Sequence, residues 1–197
     1  MEFPQFNLHI RIMSVDLLPF TVTICGIPEI DKHHGTDVSH VLSIIDPDEP
    51  VPPILKRMDL RGHRVFRFDD IVADYPGFDS PQRGHVAELL EFGRSLDAGT
   101  RHLLIHCHAG VSRSTAAAAI LMAQPNPGRE DEAFLALLDM RPHAWPNTRM
   151  VQFADALLER DGALVAGLEV YRRTLLQRKP HLAKIVRDIG RGHELPA

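Results

Sequence analysis

The feature that most constrains the fold is a compact apolar run in the middle of the chain, His102 to His106. A short apolar run that follows Gly99 and ends at a glycine-containing loop is typical of a central strand of a sheet. Residues Arg113 to Met122 come directly after that loop and are rich in alanine, which favours a helix. The strand, loop and helix together predict an α/β domain with helices beside a central sheet.

Other segments fit the same architecture. Further strands are predicted at Thr21–Cys25, Ser39–Ile45 and His63–Phe68, and helices at about 82–97, 130–139, 147–160, 164–175 and 182–189. Strands dominate the first half and helices follow residue 113, so we expect a mixed or mostly parallel sheet of about four to five strands flanked by helices. The tail Gly190–His193 is expected to be mobile.

Length and composition indicate one globular domain. The chain has 197 residues, of which 44% are hydrophobic and 24% charged, and its net charge is −4. This charge does not favour nucleic acid as a partner. We expect a single domain over residues 1–197, with a core at about 20–162 and a C-terminal helical extension at about 163–190.

The cellular setting is predicted from cysteine usage and from the absence of targeting patterns. Two cysteines, Cys25 and Cys107, do not make a disulfide scaffold, so a reducing cytoplasmic setting is expected. Met1–Gln5 lacks the features of a signal peptide, and no apolar run reaches the roughly 20 residues of a membrane span. We therefore expect a cytoplasmic protein without a membrane span.

The loop between the central strand and the alanine-rich helix carries the most informative residues. Cys107 ends the strand, Arg113 begins the helix six residues later, and Gly110 lies between them. A loop of this length can turn successive backbone N–H groups inward, and the helix N-terminus adds its positive dipole. Arg113 can hold two oxygens of a tetrahedral oxyanion, and the same field favours the thiolate form of Cys107. A nucleophile and a phosphate-sized cradle would then share one loop.

These residues resemble a known signature. The segment His106-Cys107-His108-Ala109-Gly110-Val111-Ser112-Arg113-Ser114 is similar to the loop His-Cys-x-x-Gly-x-x-Arg-Ser/Thr of the cysteine-dependent protein tyrosine phosphatases. The layout resembles the compact dual-specificity branch. The stretch Arg141–Asn147 and the pair Asp70-Ile71 also resemble a bacterial subgroup of these phosphatases. The resemblance implies a phosphatase-like domain.

The resemblance also implies a two-step mechanism through a phosphocysteine. Cys107 would attack phosphorus, Ser114 would hydrogen-bond the sulfur, and His106 would brace the loop. The phosphate oxygens would be held by Arg113 and by the backbone N–H groups of His108, Ala109, Gly110, Val111, Ser112 and Arg113. No cofactor and no metal is expected, since the loop itself balances the phosphate charge.

The general acid has several candidates. The family places an aspartate at the end of a strand, thirty or more residues before the cysteine, and Asp69, Asp70, Asp74 and Asp79 compete for this role. Matching the strand pattern favours Asp70, although its gap to Cys107 is somewhat long. Asp74 gives the more usual gap but follows the strand end less closely, and Asp69 also stays open.

Other candidate residues have structural alternatives. Cys25 is predicted to be a core thiol, with a redox partnership with Cys107 as the alternative. Asn147 either caps the following helix or braces the signature loop. His106 and His108 flank the cysteine, but a zinc site needs four well-spaced ligands and no second cluster with such spacing is present.

The sequence thus predicts a phosphomonoester hydrolase that acts on phosphotyrosine or with dual specificity. Its partners would be a phosphorylated protein or a small phosphomonoester. The alternatives are a phospho-binding module of weak or no turnover, a phosphatase of a small phosphometabolite, and a protein related to the sulfur transferases, which also use a Cys-headed loop. The preference among phosphotyrosine, phosphoserine and phosphothreonine is left open.

Overall fold

The computed structural model describes residues 17–196. Within them, four strands form one parallel sheet in the order β1-β4-β2-β3. The strands are β1 (Thr21–Gly26), β2 (His40–Ile45), β3 (Gly62–Arg67) and β4 (His102–Cys107). The predicted α/β class with a mostly parallel sheet of about four strands is therefore confirmed. The N-terminal segment, for which no signal peptide was expected, lies outside the described residues.

The strand predicted to be central lies between two neighbours. β4 pairs with β1 on one side and β2 on the other, and each of its six residues is buried. In this register Cys107 lies beside Gly26, and His106 lies beside both Cys25 and Ser43. Because all four strands run the same way, Cys107 emerges at the carboxyl edge of the sheet, where α/β proteins place their sites.

Seven α-helices complete the described part of the chain, residues 17–196. They are α1 (Arg83–Ser95), α2 (Arg113–Ala123), α3 (Glu130–Leu135), α4 (Leu137–Met140), α5 (Thr148–Leu157), α6 (Ala163–Arg178) and α7 (Leu182–Asp188). Short 3₁₀ helices lie at Ile27–His33, Pro53–Arg57 and Gly192–Glu194. The single helix predicted at 130–139 is instead two short helices that meet at Ala136. None of the helices within residues 17–196 has the length and apolar character that crossing a membrane requires.

Hydrophobic side chains pack in two clusters. The larger includes Cys107 and the wholly buried helix α2, whose alanines bring its backbone close to the sheet. The smaller includes Cys25 and Leu104. Side chains alternate between the two faces of a strand, so these clusters lie on opposite faces of the sheet. Burial raises the pKa of the Cys25 thiol to about 12, which fits the predicted core role better than the redox alternative.

The C-terminal helices pack onto the body of the domain. In α6, Leu164 and Tyr171 belong to the large core cluster, and the Tyr171 hydroxyl donates to the carbonyl of Ala144 at 2.8 Å. After α7 the chain turns back, and Glu194 is only 8% exposed. The segment Gly190–His193, which we expect to be mobile, leads directly into Glu194, whose buried side chain bonds to Trp145 and Arg172.

Candidate active site

Cys107 lies at the end of β4, followed by the loop 108–112 and then α2. Its side chain is almost completely buried, and its Sγ lies 3.1 Å from the hydroxyl of Ser114 in the first turn of α2. The sulfur thus has a hydrogen-bonding hydroxyl beside it and the N-terminus of an α-helix next to it. Both features stabilise negative charge on sulfur.

The carbonyl groups of the loop all point outward. Each of the five accepts a hydrogen bond from a group that surrounds the loop: His108 O from Ile27 N (3.0 Å), Ala109 O from Arg141 Nη2 (3.1 Å), Gly110 O from Arg141 Nε (3.0 Å), Val111 O from Trp145 N (2.8 Å) and Ser112 O from Ala116 N (3.0 Å). The donors belong to three separate segments of the chain, namely residue 27 after β1, helix α2 and the connection between α4 and α5, so the outer side of the loop is fixed along its whole length.

The inner side of the loop follows from peptide geometry. In a trans peptide the N–H of one residue points opposite to the carbonyl of the residue before it, and within residues 17–196 no peptide bond is cis. The N–H groups of residues 109–113 therefore point toward the inside of the loop. None of them donates to a protein acceptor in the described part of the chain. Five converging donors of this kind form an anion-binding cradle.

Gly110 makes this curvature possible. Its φ is +69°, a conformation that side chains disfavour, and a Cβ atom there would lie 2.5 Å from the carbonyl carbon of Cys25. Gly26 is equally tight, since a Cβ atom on it would lie 2.9 Å from the carbonyl carbon of Ala109. The end of β1 and the loop thus approach each other closely because each has a glycine at the contact.

Arg113 is anchored through one nitrogen of its guanidinium. Its Nη1 donates to Asp46 Oδ1 at 2.5 Å and to the carbonyl of Phe68 at 2.6 Å, while its buried Nε has no hydrogen-bond partner. The Nε and Nη2 groups form the edge of an arginine that can hold two oxygens of an oxyanion. One end of the group is thus anchored, and the paired donors on the other edge are left for a ligand.

Of the candidate acids, Asp70 is the one that contacts the loop. Its Oδ1 accepts from the Ser112 hydroxyl at 2.6 Å and from Asn147 Nδ2 at 3.0 Å. Asp74 instead pairs with Arg149 at 2.9 Å, and Asp69 accepts from the N–H of Asp79 at 2.7 Å. The contacts therefore place Asp70 beside the loop and tie Asp69, Asp74 and Asp79 into the structure of the connecting segment.

His106 lies behind the loop and is completely buried. Its Nε2 lies 2.6 Å from the hydroxyl of Ser43, and that hydroxyl lies 2.8 Å from Nε2 of His63 on the neighbouring strand. Burial lowers the pKa of His106 to about 4. The ring is therefore neutral near pH 7, and its hydrogen bond to Ser43 joins β4 to β2.

Comparisons with solved structures identify the architecture. DUSP15 matches with a TM-score of 0.52 at 21% identity, over 82% of this chain and 94% of that one. Human DUSP28 matches with a TM-score of 0.53 at 16% identity, over 73% and 97%. PTPMT1 bound to PI(5)P matches with a TM-score of 0.51 at 16% identity, over 74% and 94%. No protein-family model and no curated protein matches the chain.

The chain has the protein tyrosine phosphatase fold. In this phosphatase fold the signature loop lies at the carboxyl edge of the sheet, between β4 and α2 as the sequence predicts. Asn147 has the capping role, since its Oδ1 accepts from the N–H of Met150 at the start of α5. Its Nδ2 reaches Asp70, and its contact with the loop is through its backbone N–H, which donates to the carbonyl of Ser112 at 3.3 Å.

The sequence does not predict several of the contacts that support the loop of this phosphatase fold. Arg141 forms a two-point ion pair with Glu29 at 2.6 and 3.0 Å while it holds the loop carbonyls, and the hydrogen bond from Arg141 lowers the pKa of Glu29 to about 2. Ser43 and Asp46 were also missed. Asp46 directly follows a buried strand, so its position at the carboxyl edge of the sheet was the one available signal.

Proposed function

We propose that this protein is a phosphomonoester hydrolase that works through a phosphocysteine at Cys107. The observation that carries the proposal is the outward fixing of all five loop carbonyls, which turns the N–H groups of residues 109–113 inward around the sulfur. Such donors bind the three equatorial oxygens of a transferring phosphoryl group and are already oriented before the reaction.

In the first step the Cys107 thiolate attacks phosphorus. A sulfur–phosphorus bond forms as the bond from phosphorus to the leaving oxygen breaks, and the carboxylic acid of Asp70 gives its proton to that oxygen. Arg113 and the inward N–H groups hold the nonbridging oxygens. The contact of Asp70 with Ser112 and Asn147 supports this assignment, because a general acid must lie within reach of the reacting group.

In the second step water attacks phosphorus and the sulfur leaves as a thiolate. The Asp70 carboxylate takes the proton from that water, and the hydroxyl of Ser114 donates to the leaving sulfur across the 3.1 Å contact. Inorganic phosphate is released, and the acid form of Asp70 is restored. Both steps use the same carboxyl group in opposite directions, as acid and then as base.

The substrate class is proposed to be phosphotyrosine, alone or with phosphoserine and phosphothreonine. Residues 108–112 contain no lysine or arginine, which favours a single phosphomonoester over a polyanionic headgroup of the kind in the PTPMT1 complex with PI(5)P. A small phosphometabolite is the alternative. Release of phosphate from phosphotyrosine, phosphoserine and phosphothreonine peptides, a phosphorylated sugar and PI(5)P would separate these classes.

The decisive experiment is turnover of 4-nitrophenyl phosphate without added metal by the wild type, Cys107→Ser and Cys25→Ala. We expect the wild type and Cys25→Ala to be active and Cys107→Ser to be inactive, and circular dichroism would verify that each variant is folded. A phosphorus signal for phosphocysteine after rapid acid quench is expected with the wild type alone. Full activity of Cys107→Ser, or an inactive folded wild type, would refute the mechanism.

The phospho-binding alternative has one observation in its favour. A solved structure described as a human tyrosine phosphatase-like serine/threonine/tyrosine-interacting protein matches this chain with a TM-score of 0.51 at 19% identity, over 72% of this chain and 93% of that one. A pure binding module would bind a phosphotyrosine peptide but release no phosphate. Titration of that peptide with the wild type, with phosphate release measured in the same samples, distinguishes the two functions.

A further inference from the structure

We infer that Arg191, in the segment after the last helix, is a positioning residue for Asp70. This inference rests on the proposed function, in which Asp70 is the general acid. The C-terminal segment would then help to orient the general acid of the active site.

The contact runs through one hydroxyl group. Arg191 Nη1 donates to Ser112 Oγ at 3.0 Å, and Ser112 Oγ donates to Asp70 Oδ1 at 2.6 Å. A hydroxyl has a single proton, and an arginine can only donate, so the direction of this chain of hydrogen bonds is fixed. Arg191 orients the hydroxyl of Ser112, and the hydroxyl in turn orients the carboxyl group of Asp70.

Arg191 is itself held firmly. Its side chain is 13% exposed and pairs with Glu194, whose side chain is 2% exposed. Glu194 also accepts from Arg172 at 3.1 Å and from the indole N–H of Trp145 at 3.0 Å. The guanidinium therefore has little freedom to move away from Ser112, and a charge-assisted hydrogen bond of this kind is stronger than a neutral one.

The charges of this cluster support the same role. Arg172 and Arg191 share the single carboxylate of Glu194, so the cluster carries a net charge of +1 next to Ser112. This charge polarises the Ser112 hydroxyl toward Asp70. Asn147 fixes the same Asp70 oxygen from another element, so Oδ1 is held twice. The second oxygen of Asp70 is the one left to meet the leaving group.

A positioning role predicts a dependence on the leaving group. Loss of acid catalysis slows a substrate with a poor leaving group more than one with a good leaving group, and phenol is a poorer leaving group than 4-nitrophenol. We expect Arg191→Ala to lower kcat/KM about tenfold or more for phenyl phosphate and only about threefold for 4-nitrophenyl phosphate. Arg191→Lys, which keeps the charge, should recover part of the loss.

Two controls separate this role from a general loss of structure. Arg178→Ala removes an exposed arginine of the same C-terminal region and should leave both rates unchanged. In a background of Asp70→Asn, the leaving-group effect of Arg191→Ala should disappear, because there is no acid left to position. Thermal melting would report the stability of each variant, and Arg191→Ala should fold since Glu194 keeps Arg172 as a partner.

The outcomes distinguish this inference from the proposed function. Equal losses for the two substrates, or an undiminished effect of Arg191→Ala in the Asp70→Asn background, would overturn the role of Arg191 while the phosphatase mechanism stands. Absence of turnover by the folded wild type would instead refute the proposed function. The positioning role would be established if Arg191→Ala lowered kcat/KM more for phenyl phosphate than for 4-nitrophenyl phosphate and if this selectivity disappeared in the Asp70→Asn background.

Discussion

Asp46 pairs with Arg113 on the edge of the guanidinium opposite to its Nε group. The arginine side chain is 3% exposed, whereas the aspartate is 43% exposed, so a partly solvated anion anchors a buried cation. This anchor fixes the arginine before any ligand binds, but it also places a negative charge near the site of a phosphate dianion.

The first prediction concerns that charge. Asp46→Asn should tighten binding of inorganic phosphate about three- to tenfold, because one like charge is removed while the carbonyl of Phe68 still holds Nη1. The inhibition constant of phosphate would measure this, and the gain should shrink at high ionic strength. Asp48→Asn, at an exposed position on the same connector, is the matched control. Weaker phosphate binding by Asp46→Asn would contradict the prediction.

The second prediction separates the candidate acids. Asp70→Asn should lower kcat/KM for phenyl phosphate about 10²- to 10⁴-fold, the usual contribution of general acid catalysis. Asp74→Asn should change the rate little, because that carboxylate pairs with Arg149 and its side chain is 72% exposed. A large loss in Asp74→Asn with normal Asp70→Asn would move the role to Asp74.

The third prediction tests the outer support of the loop. Arg141→Ala removes the donors to the carbonyls of Ala109 and Gly110, so phosphate affinity and kcat should both fall, together about 10- to 100-fold in kcat/KM. Glu29→Gln should give a smaller loss of the same kind. Arg129→Ala, which breaks an exposed ion pair with Glu132, is the control and should be neutral. Normal phosphate affinity in Arg141→Ala would contradict the bracing role.

The fourth prediction is a pH dependence of stability. Burial opposes ionisation of Glu194, but the hydrogen bond from Arg191 and the charges of Arg191 and Arg172 outweigh it and hold its pKa at about 2, below the ordinary 4.5. A lowered pKa in the folded state stabilises the protein above about pH 4.5, and this stabilisation is lost as the pH falls toward 2. At neutral pH the lowered pKa of Glu194 contributes on the order of 3 kcal/mol to the free energy of unfolding.

Urea unfolding of the wild type and Glu194→Gln at pH 7, 4.5 and 3 would measure this dependence. At pH 7 the free energy of unfolding of the wild type should exceed that of Glu194→Gln. The difference between the two proteins should become smaller as the pH falls from 4.5 to 3. If the difference in free energy of unfolding between the two proteins stayed constant over this range, the charge of the Glu194 carboxylate would not be the source of the stabilisation.

The sheet and the loop were predictable because their signals are local. The apolar run before Cys107, the glycine at 110 and the alanines after Arg113 lie within one stretch of about twenty residues. The supports of the loop were not predictable. Glu29 and Arg141 are 112 residues apart in sequence, and their pairing depends on how β1 and the segment before α5 meet in space.

The choice among the candidate acids also depends partly on local sequence and partly on contacts between distant residues. The sequence favoured Asp70 from the pattern of the strand, but its spacing to Cys107 left Asp74 and Asp69 open. The contacts that distinguish them come from Ser112, Asn147 and Arg149, which lie far along the chain. Arg191 had no local signal at all, and its segment was expected to be mobile because terminal residues usually are.

Because the loop carbonyls face outward, the effect of a substitution on anion binding depends on whether it lies in the loop or around it. Apart from Arg113, the donors that would bind an oxyanion belong to the main chain, so within residues 109–112 only a substitution to proline would delete one of them. A substitution of Arg141 alters the direction in which those donors point, whereas a side chain at position 26 or 110 would collide with backbone atoms and displace the loop. Mutational change in anion affinity should therefore originate mainly in the residues that surround the loop and in its glycines.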